Sequence, residues 1–165
     1  MKKIIALVIV MTLGFSFQSC QEEAKKDDKE KVSKETSSNE VEALQKEFNT
    51  LMKESVKAHD EVMPKMGTIN EHIAKLEELQ NEVDEEKIEV VIEDLKKGHD
   101  MMMSWMKGFG NDFSREEINQ GIQENDLTVL KSKVDLVEKH HQSALEMKQQ
   151  IKNSLEASEQ LLSNY

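Results

Sequence analysis

Apolar residues recur every three or four positions along most of the chain after residue 40, which is the spacing of an amphipathic helix. One such stripe runs from Val41 to Val83, a second from Ile88 to Met106, and a third from Leu130 to Leu162. No segment shows the strict alternation of apolar and polar residues that a half-buried strand requires. The pattern therefore predicts an all-α fold.

Capping signals set the predicted ends of these helices. Residues 37–39 (Ser-Ser-Asn) supply N-cap candidates for the first helix, and residues 84–86 place acids at the start of the second. Ser114 and Glu117 have the spacing of a capping box before a short helical turn, and the third long helix begins at Leu127. The simplest closure is an antiparallel up-down-up three-helix bundle over residues 40–165.

Pro64 lies inside the first helical pattern. A proline there removes one backbone hydrogen bond and leaves the carbonyl of Asp60 without its usual partner. We therefore expect a kink near residues 60–64. A full break, with Gly67 close by, would make the bundle one of four helices.

Composition narrows the class of protein. Charged residues make up 33% of the chain and aromatic residues 4%, which is typical of long helices whose apolar residues form a stripe, as in coiled coils. The net charge of -11 makes nucleic acid and anionic lipid poor candidates as partners. Cys20 is the only cysteine, so the sequence offers no disulfide within the chain and no thiolate metal site.

The N-terminal segment has the pattern of an export signal. Two lysines precede an apolar run from Ile4 to Phe17, and its 14 residues are fewer than the roughly 17 to 25 that span a bilayer as a helix. With Ser19 and Cys20 behind it, this segment resembles a bacterial lipoprotein signal peptide. The resemblance implies that residues 1–19 are removed and that Cys20 becomes the lipidated N-terminus, carrying acyl chains such as palmitate.

The residues behind Cys20 extend this interpretation. Gln21 is not the aspartate that retains such proteins at the inner membrane, so the resemblance implies anchoring at the outer membrane, facing either the periplasm or the cell surface. Residues 20–39 are rich in acids and lysines, and Val32 is their only large apolar residue. Such a segment cannot bury enough surface to fold, so we predict a disordered, charged tether.

One octapeptide pattern, HDxxMxxM, occurs twice, at residues 59–66 and 99–106. Positions i, i+4 and i+7 share one face of a helix, so each copy places one imidazole and two thioethers together. A turn at residues 81–84 would put residue i of the first helix level with residue 165 minus i of the second. This predicts a single layer formed by three facing pairs: His59 with Met106, Met66 with His99, and, to within one residue, Met63 with Met103.

Three interpretations of this layer remain open. In the first, the layer is part of the structural core, because methionine fills irregular gaps and packs against aromatic rings. In the second, the layer is a site for Cu(I) or Ag(I), with Asp60 and Asp100 either as hydrogen-bond acceptors behind the histidines or simply solvated. In the third, the layer binds haem through Met and His, as in the periplasmic four-helix b-type cytochromes, which the chain resembles in fold class. Covalent haem is excluded because no CxxCH occurs. His140 and His141, near the level of His72, are a weaker metal candidate or simply a polar face.

No HExxH, glycine-rich phosphate loop or GxSxG occurs, so we do not expect an enzyme. The segments HDEVMPKM and HDMMMSWM loosely resemble small helical lipoproteins, some of which carry the label "viral A-type inclusion protein". We therefore expect a non-enzymatic, membrane-anchored helical lipoprotein that acts as a protein-binding or structural module, without a cofactor. Its partner would be an envelope or surface protein, or a second copy. The alternatives are a soft-metal protein with copper bound by the His/Met layer, or a holdase chaperone.

Overall fold

The computed structural model describes residues 26–79 and 85–165, with side chains described from residue 37 onward. These residues form helices joined by short turns and loops, without any strand, and the prediction of an all-α fold is confirmed. The helices are α1 (Lys26–Val62), α2 (Met66–Leu79), α3 (Glu85–Asp112), α4 (Arg115–Gln120) and α5 (Leu127–Leu162). Residues 36–165 form one compact unit.

Some of the predicted features lie outside the residues that the structure describes. These are the leader at residues 1–19, the lipidated Cys20 and the turn at residues 81–84. Within the described part of the chain, none of the helices contains an apolar stretch long enough to cross a membrane.

Helix α1 begins earlier than its capping signals indicate. It starts at Lys26, so residues 37–39 lie within it and do not cap its N-terminus. Lysine and glutamate have high helix propensity, and a segment can therefore be helical without apolar residues to bury. The helical backbone from Lys26 also covers much of the segment for which the sequence predicts a disordered tether; the role of residues 20–39 as a tether stays a prediction.

The interruption predicted at Pro64 is present. Helix α1 ends at Val62, residues Met63–Lys65 form a single 3-10 turn, and α2 begins directly at Met66. The proline lies at the start of this turn, where a backbone N–H would have no partner within the helix, so the N–H that proline lacks is not needed. The chain therefore passes from α1 to α2 through a short change of helix type, without a loop.

Helix α5 runs antiparallel to α3. The side-chain amide of Gln150 donates to the backbone carbonyl of Asp94 at 3.1 Å, and the ammonium of Lys133 donates to the carbonyl of Asp112 at 3.3 Å. Beside the first of these contacts the helices approach closely at Gly98, where an added Cβ would lie 3.2 Å from Cγ1 of Ile151. Gly98 therefore sets the spacing of the two helices.

Helix α1 runs parallel to α5, and two ion pairs mark the register. Lys131 lies 2.7 Å from Glu40, and Lys148 lies 2.6 Å from Glu61. The hydrogen bond from Lys148 holds the pKa of Glu61 below its usual value. Both acids lie on the flank of α1 that faces α5, which leaves the opposite flank for α3.

The loop between α4 and α5 is fastened to α1 by two amide side chains. Asn49 accepts a hydrogen bond from the backbone N–H of Ile122 at 3.0 Å, and Gln45 donates to the carbonyl of Glu124 at 2.8 Å. Gly121 opens this loop with φ +83°, in the left-handed region that favours glycine. An alanine Cβ at Gly121 would lie only 2.5 Å from the amide oxygen of Asn49.

The short helix α4 begins at the predicted capping box. The hydroxyl of Ser114 accepts from the N–H of Glu117, and the carboxylate of Glu117 accepts from the N–H of Ser114 at 2.7 Å. Burial raises the pKa of Glu117, but the hydrogen bonds from Lys133 and Ser114 outweigh it, and the net pKa lies below the usual value.

The core follows the predicted stripes except around the methionine-rich segment of α3. Fully buried large side chains come from α1, α2, α3 and α5, and the set consists of Phe48, Val62, Ile69, Leu76, Ile88, Leu95, Met102, Leu130, Val137, Met147 and Ile151. Hydrophobic burial of this kind is the main force that holds the bundle together.

Candidate functional site

The two HDxxMxxM segments face each other across the groove between α1/α2 and α3. The ring of His59 stacks on Trp105 with ring centroids 5.3 Å apart, one residue from the predicted partner Met106. Farther along the same groove, Lys96 of α3 lies 3.5 Å from Glu77 of α2. The predicted register of the two helices therefore holds to about one residue at His59. It does not hold at Glu77, which it places level with Ile88, eight residues from the observed partner Lys96.

We call the six predicted side chains the His/Met groove: His59, Met63, Met66, His99, Met103 and Met106. Met63 follows His59 by four residues and Met103 follows Lys96 by seven, so each shares a flank with a residue that contacts the opposite helix. The contact between the two segments, His59 on Trp105, lies on a flank of α3 that also faces α5, because Trp105 donates to the carbonyl of His140. Met103, two residues before Trp105, lies about 160° round α3 from it.

The depth of this set differs from the prediction. Met63, Met103 and Met106 are 46%, 52% and 40% exposed, whereas Met66 and His99 are half-buried. The expectation that all six lie in a buried layer is wrong for the three exposed methionines. The core positions at this level belong instead to neighbouring residues, with Val62, Met102 and Trp105 buried.

His59 has the most constrained environment in the groove. Its Nδ1 lies 2.9 Å from a carboxylate oxygen of Asp60 and donates a hydrogen bond to it. Its Nε2 is fully buried and has no hydrogen-bond partner among the described residues. Stacking on Trp105 fixes the plane of the ring, with 22° between the two ring planes. His59 therefore holds a fixed orientation with one nitrogen unsatisfied.

The second copy of the motif is more open. His99 is 37% exposed, and its Nδ1 lies 3.5 Å from Asp100, beyond the distance of a good hydrogen bond. The two copies, similar in sequence, therefore differ in structure: the first has an oriented, partly enclosed imidazole, and the second has a half-exposed one.

An aromatic cluster lies behind His59. Trp105 stacks on Phe109 at 4.4 Å, and Phe109 packs on Phe113 at 5.1 Å. The indole N–H of Trp105 donates to the backbone carbonyl of His140 on α5 at 2.9 Å. The imidazole of His140 packs edge-on against these rings. This cluster ties α3 to α5 and makes Trp105 a rigid support for His59.

The histidines outside the groove do not form the second metal site considered from the sequence. His72 is buried and hydrogen-bonded through Nδ1 to the hydroxyl of Ser158 at 2.7 Å. His140 lies with its Nε2 2.7 Å from the carboxylate of Asp112, and His141 faces Glu54 at 3.7 Å. Among the side chains that the structure describes, no three from His, Cys, Asp and Glu are grouped so that they could hold a metal ion.

Two features of the site were not predicted from the sequence. The stacking of His59 on Trp105 can be predicted only once the register of the two helices is known, because the two rings belong to different helices. The buried hydroxyl of Ser158 has no sequence signal, since serine on a helix is ordinarily exposed.

Comparison of the chain with protein-family models, with curated proteins and with solved structures finds no match.

Proposed function

We propose that the protein is a non-enzymatic helical lipoprotein of the bacterial cell envelope, held at the outer membrane by acyl chains on Cys20, whose bundle binds another protein. The observation that carries the binding role is the exposure of Met63, in the turn between α1 and α2, and of Met103 and Met106, which lie about one turn apart on α3. Exposed apolar side chains that are grouped together on a soluble surface are typical of interaction sites.

Methionine suits such a surface for physical reasons. Its side chain is unbranched, flexible and polarizable, so it adapts to the shape of an apolar partner at little cost. The rims of the groove are charged, as the pair of Lys96 and Glu77 shows, and charged rims around an apolar centre are the usual anatomy of protein interfaces. The partner is an envelope or surface protein, or a second copy of this chain; the net charge of -11 disfavours nucleic acid.

A cross-linking experiment tests the binding role. Once Cys20 is lipidated, a Met103→Cys variant carries one free thiol, which can be labelled with a photoreactive maleimide in intact cells. We expect cross-linking to one defined protein, or to a second copy, from position 103. Val129 on α5 is the matched control, because it is also apolar and 44% exposed but lies elsewhere, and Val129→Cys should give no such product. Monomer alone from both positions would contradict the proposed role.

The anchor is tested separately. A Cys20→Ala variant should move from the membrane fraction to the soluble fraction and should lose incorporation of labelled palmitate, because no apolar helix among the described residues replaces the acyl chains. A variant that stays in the membrane fraction would refute lipid anchoring without bearing on the groove.

A further inference from the structure

Two groups of methionines in the bundle differ sharply in solvent exposure. Three are at least 40% exposed: Met63, Met103 and Met106. Three others are buried in the core, with at most 3% exposed: Met52, Met102 and Met147. A thioether is oxidised only where an oxidant reaches its sulfur, so solvent exposure decides which of these side chains react. The exposed three are therefore candidates for modification, and the buried three are internal references.

The contrast is sharpest within the run of methionines in α3. Met102 is 1% exposed, whereas the next residue, Met103, is 52% exposed. Successive residues turn about 100° round a helix, so Met102 faces the core while Met103 faces solvent. Met106 follows Met103 by three residues, which places these two exposed side chains about one turn apart and within about 60° of each other round the helix. A partner that covers this flank of α3 meets both thioethers.

The two other side chains that oxidants commonly attack are less available. In the proposed function the sulfur of Cys20, the only cysteine, carries the lipid and is no longer a thiol. The indole of Trp105 is buried and stacked on His59 and Phe109. Hydrogen peroxide is small and uncharged, so the net charge of -11 does not repel it from the surface. The exposed thioethers are therefore the groups that a peroxide reaches first.

Oxidation changes the chemistry of these side chains and needs only the peroxide. The thioether sulfur attacks one peroxide oxygen: an S–O bond forms, the O–O bond breaks, and the departing hydroxide takes the proton of the transferred OH group and leaves as water. The sulfur loses two electrons and the peroxide gains them. The product, a sulfoxide, is polar, whereas the thioether is apolar. Because the three side chains are exposed, their sulfoxide oxygens stay in water and the folded bundle buries no new polar group.

We propose that Met63, Met103 and Met106 are sites of reversible oxidation by hydroperoxides, and that their sulfoxides release the protein that the exposed methionines bind. The release rests on the proposed function, whereas the oxidation does not. An apolar partner surface would cover a sulfoxide without offering it a hydrogen-bond donor, which is expected to weaken binding about tenfold. Methionine sulfoxide reductases, one for each epimer of the sulfoxide, restore the thioether.

Peptide mapping tests the sites. The full lipidated chain in detergent micelles is treated with hydrogen peroxide, digested with trypsin and analysed by mass spectrometry; residues 98–107 form one tryptic peptide, whose fragments separate Met102 from Met103 and Met106. We expect the exposed three to gain one oxygen at least about tenfold faster than the buried three, which react only when the bundle opens. Treatment with both reductases should remove that oxygen.

Circular dichroism on the same samples tests the fold. The melting temperature of chains oxidised at the exposed sites alone should stay within about 2 °C of the untreated protein, because changes at exposed positions are nearly neutral. Equal rates at Met102 and Met103, or a larger loss of stability, would overturn the proposal that these are modification sites of the folded protein.

The cross-linking experiment, with the probe at Met103→Cys, tests the release. After peroxide treatment of intact cells we expect about tenfold less cross-linked product. The matched control adds Met63→Leu/Met106→Leu to the same chain, which keeps both positions apolar but not oxidisable, and its product should persist. A product that survives mapped oxidation, or that is lost equally in the control, would overturn the release. No product before peroxide would refute the binding role and the release together, and the peptide map would still decide the oxidation sites.

Discussion

Replacing Gly121 by alanine is expected to destabilise the folded protein by about 2–4 kcal/mol. Gly121 has φ +83° and ψ 169°, a conformation that residues with a side chain rarely adopt and that costs on the order of 1–3 kcal/mol. The added Cβ would also lie 2.5 Å from Oδ1 of Asn49, which accepts from Ile122 N–H. Displacing Asn49 adds about 1 kcal/mol for the lost hydrogen bond.

Gly67 is the matched control for this substitution. It lies in α2, and an added Cβ would meet nothing within 4 Å. Alanine is a better helix former than glycine, so Gly67→Ala should raise the stability by up to about 1 kcal/mol. The same chemical change is therefore expected to have opposite signs at Gly121 and Gly67.

Urea unfolding followed by circular dichroism measures both effects, and thermal melting gives an independent value at about 4 °C for each kcal/mol in a domain of this size. The two contributions at Gly121 separate in an Asn49→Ala background, where the clash is relieved and the cost of the backbone conformation remains. If Gly121→Ala were as stable as the parent protein, or if the Asn49→Ala background abolished its whole cost, the reasoning from φ would be refuted.

Two further substitutions test buried and titrating groups. Ser158→Ala should cost about 1–3 kcal/mol in urea unfolding, because Nδ1 of His72 loses its buried partner; Ser154→Ala, whose hydroxyl bonds only within α5, should stay within about 0.5 kcal/mol of the parent, and equal losses in both would contradict this. The lowered pKa of Glu117 contributes stability above about pH 4.3, the ordinary glutamate value, and this contribution is lost as the pH falls through the lower pKa of the folded state. Glu117→Gln should therefore lose less stability than the parent between about pH 5 and pH 3, and parallel pH profiles would argue against the role of the pair with Lys133.

Much of the fold could be predicted because its signals are local. The three-to-four spacing of apolar residues indicates helices, Pro64 marks the interruption, and Ser114 with Glu117 marks the start of α4. The start of α1 could not be predicted in the same way. Serine and asparagine at residues 37–39 can cap a helix, but they can also lie inside one when charged helix formers precede them.

The depth of the methionines could not be predicted for a different reason. In the segment MMMSWM nearly every position is apolar, so the contrast between polar and apolar faces that fixes the orientation of a helix is missing. Met102 and Trp105 are buried while Met103 and Met106 are exposed, a difference set by packing against α5. Large rings that stack across helices determine which side of such a segment faces inward.

The candidate site depends on the register, which the sequence predicts at His59 but not at Glu77, whose partner Lys96 lies eight residues from the predicted position. Counting back from a turn near residue 82 places His59 level with Met106, and the structure pairs it with Trp105. Asp60 is an acceptor for His59, as one of the interpretations of the sequence expects. The unpaired Nε2 was beyond prediction, because it depends on a single side-chain rotamer and on what surrounds it.

The 3-10 turn at Met63–Lys65 sets the rotational phase between the helices on either side of it. Each residue advances about 100° in an α-helix and about 120° in a 3-10 helix, so three residues add about 60° of rotation. Without that addition, the stripe of Ile69, His72 and Leu76 would lie about 60° round the axis from its observed direction, away from the side on which Val62 is buried. The turn at Pro64 thus rotates the apolar stripe of α2 into line with that of α1. The two stripes, which a continuous α-helix would misalign, then form one continuous surface.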